Sequence, residues 1–351
     1  MSSSQGSALD ALLSPAVPKI DLRAPAEFAL GTLPGAVNLP ILTDQERHQI
    51  GKCYRQHGQP AAVKMGHRLV AGAIRETRID GWQQFLADHP DAAVFCWRGG
   101  MRTEFARAWL ADRDLTPPAI TGGFKAARSR ALAILANDSH RANWLMLGGR
   151  TGVGKTVVLN QLPNSIDLEG LACHRGSAFG GMERPQPTPV SFENQLAAIA
   201  LAQTAVHETI VLEDESRTIG RLALPESWHA RMQQAPLVLL EAPRSSRAAH
   251  IAAEYVTEPL ALGVPPARLA HRYRSALQRI RKRLGGARTS TVIASLDQAF
   301  SNEVEHLQWI TQLLEWYYDP MYDFQLKKKA HRVVFSGEAP AVLNWIQDAR
   351  G

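Results

Sequence analysis

Trp144-Leu145-Met146-Leu147-Gly148-Gly149-Arg150-Thr151-Gly152-Val153-Gly154-Lys155-Thr156 sets the fold of the C-terminal part of the chain. Four apolar residues read as a strand, glycines follow, and a short helix stops at Pro163. Residues 149–156 fit G-x4-G-K-[ST], and a strand before with a helix after is the context in which that pattern cradles phosphate. Backbone N–H groups of Gly149, Arg150, Thr151, Gly152, Val153 and Gly154 would hold phosphate oxygens, Lys155 adds a cation, and Thr156 offers a hydroxyl to Mg²⁺. A plain glycine-rich turn is the alternative. The cradle recognises a di- or triphosphate, and no Asn-Lys-x-Asp segment selects guanine, so the nucleotide, if any, is not read.

Outward from this stretch, Ile210-Val211-Leu212 reads as a strand ending in Glu213-Asp214-Glu215. Glu213 and Asp214 are therefore metal candidates together with Thr156, against the alternative of a solvated acidic turn. Leu237 to Leu240 and Arg332 to Phe335 are further strands, with helices between. Residues 137–351 are expected to form a P-loop NTPase-like α/β domain.

Towards the N-terminus, Lys19 to Leu22 and Ala93 to Phe95 read as strands. Thr103 to Leu110 reads as a helix with Phe105, Ala106, Trp109 and Leu110 on one face, and Phe124 to Leu135 as another after Gly122-Gly123. Strands alternating with helices predict a doubly wound parallel sheet over residues 1–136, ending at the polar break Asn137-Asp138-Ser139-His140. The second strand opens Cys96-Trp97-Arg98-Gly99-Gly100-Met101-Arg102. Ligands bind beyond the carboxyl ends of such strands. Arg98, Gly99, Gly100 and Arg102 could form an anion nest around Cys96, and that field is expected to lower the thiol pKa and expose a reactive thiolate. A buried structural cysteine is the alternative.

The 351 residues suggest two or three domains. With 45% hydrophobic and 21% charged residues, the chain is neither mainly disordered nor collagen-like nor a disulfide miniprotein. Cys53, Cys96 and Cys173 form no CxxC, which fits free thiols in a reducing cytoplasm. The N-terminus lacks a signal peptide's basic and apolar regions, and the longest apolar stretch, Leu196 to Val206, is about half a membrane span. A cytoplasmic protein with no membrane association is expected. Arg244 to Arg288 carries ten Lys/Arg against Glu254 and Glu258. Its stripe Leu269, Tyr273, Leu277, Ile280, Leu284 can pack while Arg272, Arg279, Lys282 and Arg283 project elsewhere, a local charge suited to a phosphate backbone or to a merely solvated face. Lys327-Lys328-Lys329 adds a second cluster.

The N-terminal part resembles the rhodanese family. Asp21-Leu22-Arg23-Ala24-Pro25-Ala26-Glu27-Phe28 is similar to its D-x-R-x-x-x-E-F segment, and Leu33-Pro34-Gly35-Ala36-Val37-Asn38-Leu39-Pro40 to its I-P-G-A-x-N-x-P segment. Cys96 then falls where that family carries a persulfide. The C-x5-R loop is one residue longer than usual and also occurs in rhodanese-like phosphatases, so the loop alone leaves both chemistries open. Joined to a P-loop domain, the pattern resembles the tRNA 2-selenouridine synthase family over nearly the whole chain. Val63-Lys64-Met65-Gly66-His67, Gly122-Gly123-Phe124-Lys125-Ala126, Asp167-Leu168-Glu169-Gly170-Leu171 and His174-Arg175-Gly176-Ser177-Ala178-Phe179-Gly180 share in that resemblance.

The resemblance implies replacement of sulfur by selenium in wobble-position 2-thiouridine of tRNA. Selenophosphate would be the selenium donor, and geranyl diphosphate the source of a geranyl group placed on the sulfur. The P-loop would hold the diphosphate with Mg²⁺, Cys96 would handle selenium, the basic stretch would grip tRNA, and no bound organic cofactor is expected. The walls of a geranyl pocket and the oligomeric state are not legible, and Cys53 and Cys173 match no motif. The rival readings are a P-loop small-molecule kinase with a rhodanese-like regulatory domain, a rhodanese-like phosphatase and a non-catalytic RNA-binding module.

Overall fold

The computed structural model describes residues 9–137, 142–302 and 304–348. Two compact units emerge, Met1–Ser139 with Pro187–Ala205, and His140–Gln186 with Val206–Gly351. Of the polar break, Asp138, Ser139 and His140 lie outside the described residues. One difference from a single cut near residue 137 stands out: the helix Pro189–Val206, expected in the second domain, groups with the first.

In the first unit, β1 (Lys19–Asp21), β2 (Ala36–Asn38) and β3 (Ala93–Phe95) form a parallel sheet in the order β2-β1-β3. β2 was not read as a strand; it has three residues and no fully buried position. Ile20, Leu22 and Val94 pack with Trp82 and Trp109, whose rings stack at 6.1 Å. The expected helices occur at Met101–Ala111 and Gly123–Asn137. The helix Pro189–Val206 buries Phe192 and Leu196. It is tied in through Asn194, whose Oδ1 accepts from Arg128 (3.0 Å) and whose Nδ2 donates to the Thr32 carbonyl (2.9 Å).

In the second unit, β4 (Asn143–Gly149), β5 (Ser165–Ile166), β6 (Thr209–Glu213), β9 (Leu237–Leu240) and β10 (Val333–Gly337) form a parallel sheet in the order β10-β9-β4-β6-β5. A small antiparallel pair, β7 (Thr218–Ile219) and β8 (Leu222–Ala223), lies between β6 and β9 in sequence. β4 is central and buried from Trp144 to Gly149, as a strand covered on both faces must be. A separate helical core gathers Tyr273, Leu277, Trp309 and Ile310, and the predicted apolar stripe of helix Pro266–Leu284 is buried in full. Among the described residues, no helix is long and apolar enough to cross a membrane.

Because the helix Pro189–Val206 completes the first unit, Leu196→Ala is expected to cost about 2–5 kcal/mol there. Hydrogen exchange by mass spectrometry should show faster exchange over residues 93–95 and unchanged exchange over residues 237–240. Faster exchange confined to residues 237–240 would contradict the assignment.

Candidate functional site

The phosphate loop forms where the sequence places it. β4 ends at Gly149, Gly152 and Gly154 take positive φ (78° and 87°), and the helix Lys155–Leu159 follows. Lys155 is partly buried. Burial works against its charge, but Glu215, Glu169, Glu213 and Asp214 more than offset this and raise its pKa. Thr156 stands next to it, partly buried.

β6 delivers the carboxylates. Glu213 is fully buried; its Oε2 accepts from the Glu169 backbone N–H at 3.0 Å, and its Oε1 has no partner among the described residues. Asp214 pairs through Oδ2 with Lys329 at 2.7 Å, while its buried Oδ1 has no partner among the described residues. These orphaned oxygens suit a hard cation. Among the described residues no group of three His, Cys, Asp or Glu is arranged to hold a metal; Thr156, Glu213 and Asp214 are the side chains that could share one with ligand phosphate.

The phosphate loop, Glu169, Asp214 and Glu215 line a cavity of about 1090 Å³ with a lining of two characters. Phosphate loop, carboxylates and the loop Arg175–Phe179 supply the polar part; Trp309, Leu313, Leu314, Tyr317, Tyr318 and Met321 supply an apolar and aromatic part. The segment from His174 to Ser177 contributes Arg175, Gly176 and Ser177 to the lining. Gly176 takes φ 60°, where a side chain is strained, and a Cβ there would stand 2.7 Å from both Glu169 Oε1 and Glu215 Oε2.

The basic candidates separate. Arg279, Lys282 and Arg283 line the cavity, with Arg279 donating to the Ala178 carbonyl at 2.7 Å. Arg272 instead pairs with Glu183 at 2.6 Å. The Arg150 side chain pairs with Asp323 at 2.6 Å, so toward phosphate it offers backbone only. One residue escaped notice. Arg247, counted only among the basic stretch, is buried; its Nη1 donates to Asp319 Oδ1 (2.9 Å) and to the Thr151 carbonyl (3.1 Å), and its Nη2 to Asp319 Oδ2 (2.9 Å).

In the first unit Cys96 follows β3 directly. Its carbonyl accepts from Phe124 N–H at 2.9 Å, and that of Trp97 from Lys125 N–H at 3.0 Å. Gly123 has φ 59°, and a Cβ there would lie 2.3 Å from the Cys96 carbonyl oxygen. The segment Gly122-Gly123-Phe124-Lys125-Ala126 is therefore the floor of the cysteine loop. Gly99 and Gly100 are partly buried within that loop and Arg98 is exposed.

Two expectations are corrected. Cys96 is only 3% exposed, under its loop rather than presented by it. Arg102 does not stand free in the nest: it donates to Glu27 Oε2 at 2.6 Å and Oε1 at 3.3 Å. Although burial alone would raise the Glu27 pKa, Arg102, then the Ala24 backbone N–H and Arg47, hold it below the ordinary value. Asp21 and Arg23 form a buried ion pair at 2.6 Å, and the Arg23 guanidinium lies 3.8 Å over the Phe124 ring.

Burial, and next Glu215, push the Glu169 carboxyl up to about 8 against the pull of Lys155. A carboxyl whose pKa rises on folding holds its proton more tightly in the native state. Native stability therefore declines as pH climbs from about 4.5 to about 8. Glu169→Gln should gain on the wild type by a few kcal/mol, on the order of magnitude such a shift carries, between pH 5 and pH 8.5. Thermal melts across that range check this, and parallel wild-type and variant curves would refute it.

Comparison with known proteins follows this geometry. The family described as the tRNA 2-selenouridine synthase AAA domain matches residues 142–351. A tRNA 2-selenouridine synthase of Cupriavidus pinatubonensis is 43% identical over 346 residues, covering 94% of each chain. That of Marinobacter nauticus is 44% identical, again over 94% of each chain. The Shewanella oneidensis protein is 42% identical over 94% of this chain and 92% of its own. Identity at this level along nearly the full length, with the phosphate loop in place, means that the chain belongs to the tRNA 2-selenouridine synthase family.

Proposed function

We propose that this transferase replaces the 2-sulfur of wobble 2-thiouridine in tRNA by selenium from selenophosphate, through an S-geranyl intermediate made from geranyl diphosphate. The observation that carries the reading is the cavity's mixed lining: a phosphate loop and an apolar, aromatic wall in one space of about 1090 Å³ suit an amphiphilic prenyl diphosphate. The walls that sequence could not name are then Trp309, Leu313, Leu314, Tyr317, Tyr318 and Met321.

A thiocarbonyl sulfur is a poor leaving group at C2. In the first step that sulfur attacks C1 of the geranyl chain, the C1–O bond breaks, diphosphate departs and N3 of the base loses its proton. Lys155, held charged by its carboxylates, and the loop N–H groups stabilise the departing anion. Mg²⁺, held by Thr156 with Asp214 or Glu213, would neutralise diphosphate charge. In the second step selenium adds to C2, geranyl thiol departs with a proton, and water takes the phosphoryl group of selenophosphate. The first unit is read as rhodanese-like, with the Cys96 loop handling selenium and its glycine-floored backbone and Arg98 positioning selenophosphate. Cys96 must become accessible for any adduct to form on it.

The test is nucleoside mass spectrometry of 2-thiouridine-containing tRNA incubated with geranyl diphosphate, selenophosphate or both. Cys96→Ala should still geranylate but make no selenouridine; Lys155→Ala should lose geranylation, and only wild type should complete the exchange. No modified nucleoside under any condition would overturn the reading, and phosphate transfer from ATP without tRNA would favour the kinase. Met321→Glu separates the two linings: geranyl diphosphate should bind about tenfold or more weakly, since a charge is brought against an apolar chain, with inorganic diphosphate unaffected. Equal losses for both ligands would remove Met321 from the chain-binding wall.

A further inference from the structure

The helical segment Asp44–Leu69 is broken at Gly58 (φ 78°) into two halves. From Arg47 to Arg75 the sequence has six Lys/Arg and no Asp or Glu. Arg47 pairs with Glu27 and Arg75 with Glu76. Lys52, Arg55, Lys64 and Arg68 are exposed and enter no ion pair among the described residues. Helical spacing puts Lys52 and Arg55 on one face of the first half, and Lys64 and Arg68 on one face of the second. In helix Pro266–Leu284, by comparison, Arg272 is neutralised by Glu183 and Arg274 by Asp297, while Arg279, Lys282 and Arg283 line the cavity of the second unit.

This surface adjoins the cysteine loop. Gln59, just past the break, donates to Met101 Sδ at 3.3 Å, and Met101 is the residue after Gly100. In the second half, the His67 ring meets Phe105 edge-on at 5.0 Å. Two large aromatics also stand open in this unit, Tyr54 at 53% and Trp97 at 41% exposure. Unpaired cations with aromatic faces among them are the chemistry that takes a phosphodiester backbone with accessible bases.

We infer that the broken helix Asp44–Leu69 is an RNA-binding surface that seats tRNA phosphates on Lys52, Arg55, Lys64 and Arg68 beside the Cys96 loop. The inference rests on the tRNA reading above and deepens it, giving the first unit its own grip on the substrate. Each neutralised phosphate releases condensed counterions, so each pair of cations has a thermodynamic signature that packing does not mimic.

Full-length wild type, Lys52→Ala/Arg55→Ala and Lys64→Ala/Arg68→Ala are titrated against fluorescein-labelled tRNA bearing wobble 2-thiouridine, over a series of KCl concentrations. Each double variant should lower the slope of log K against log salt by about 1.4 to 1.8, and weaken binding about 10- to 30-fold at 0.15 M salt. Unchanged melting temperatures certify the fold. Slopes equal to wild type, while wild type binds tRNA, would overturn the inference and leave the function intact. Wild type that does not bind tRNA would overturn the reading and the inference together. A parallel titration against phosphatidylserine vesicles covers the other polyanion: if the variants lose vesicle binding and keep wild-type tRNA slopes, the surface is a membrane contact and the inference fails.

Discussion

The bidentate pair of Arg247 with Asp319, and the third bond from Arg247 to the Thr151 carbonyl, fix the phosphate loop to the helical layer of its unit. Removing two charges from water is expensive, and such a pair is poor evidence for stability in itself. What it provides is register. Asp319 opens the helix Asp319–Lys329, which also carries Asp323, paired with Arg150, and Lys329, paired with Asp214. Three ion pairs thus hold one helix to the phosphate loop and the carboxylates behind it. That helix brings Met321 to the cavity, so the apolar wall and the phosphate cradle are positioned by the same contacts.

Charge balance inside the cavity follows from this arrangement. One partly buried lysine among four carboxylates does not attract a diphosphate unaided. Two features shift the balance. Burial and mutual repulsion raise the pKa of both Glu169 and Glu213, which lowers the negative charge Lys155 must compensate. Arg279, Lys282 and Arg283 bring further positive charge into the lining. Reading those arginines as an RNA grip drew on the same charge, but their place in the lining makes them partners for a small anion as well.

Sequence made legible whatever is encoded locally. The strands over 144–147, 210–212 and 237–240 are continuous apolar runs, and the phosphate loop is a contiguous string of eight residues. β5 escaped because two residues carry no periodicity. Partners distant in sequence escaped for another reason. Arg102 meets Glu27 across 75 positions, and Arg247 meets Asp319 across 72, so neither spacing leaves a pattern. The cysteine motif therefore carried no sign that Arg102 is partnered by Glu27. The uncompensated charge of residues 47–75 was present in the sequence, but the ion pairs of Arg47 and Arg75, and the exposure of Lys52, Arg55, Lys64 and Arg68, were not.

The returning helix Pro189–Val206 has a consequence for how the molecule is made. The Thr32 N–H donates to Ser191, and its carbonyl accepts from Asn194, over separations of 159 and 162 residues. Such contacts carry a loop-closure cost that must be met before burial of Phe192 and Leu196 rewards it. The first unit therefore cannot complete its core when its own first 139 residues emerge. It waits for a segment that lies beyond β4, the phosphate loop and the Arg175–Phe179 loop in the chain. The same segment leads straight into β6, after whose last residue Asp214 and Glu215 enter the cavity lining. Completion of the cysteine-bearing core and delivery of the carboxylates thus lie on one stretch of backbone, residues 189–215.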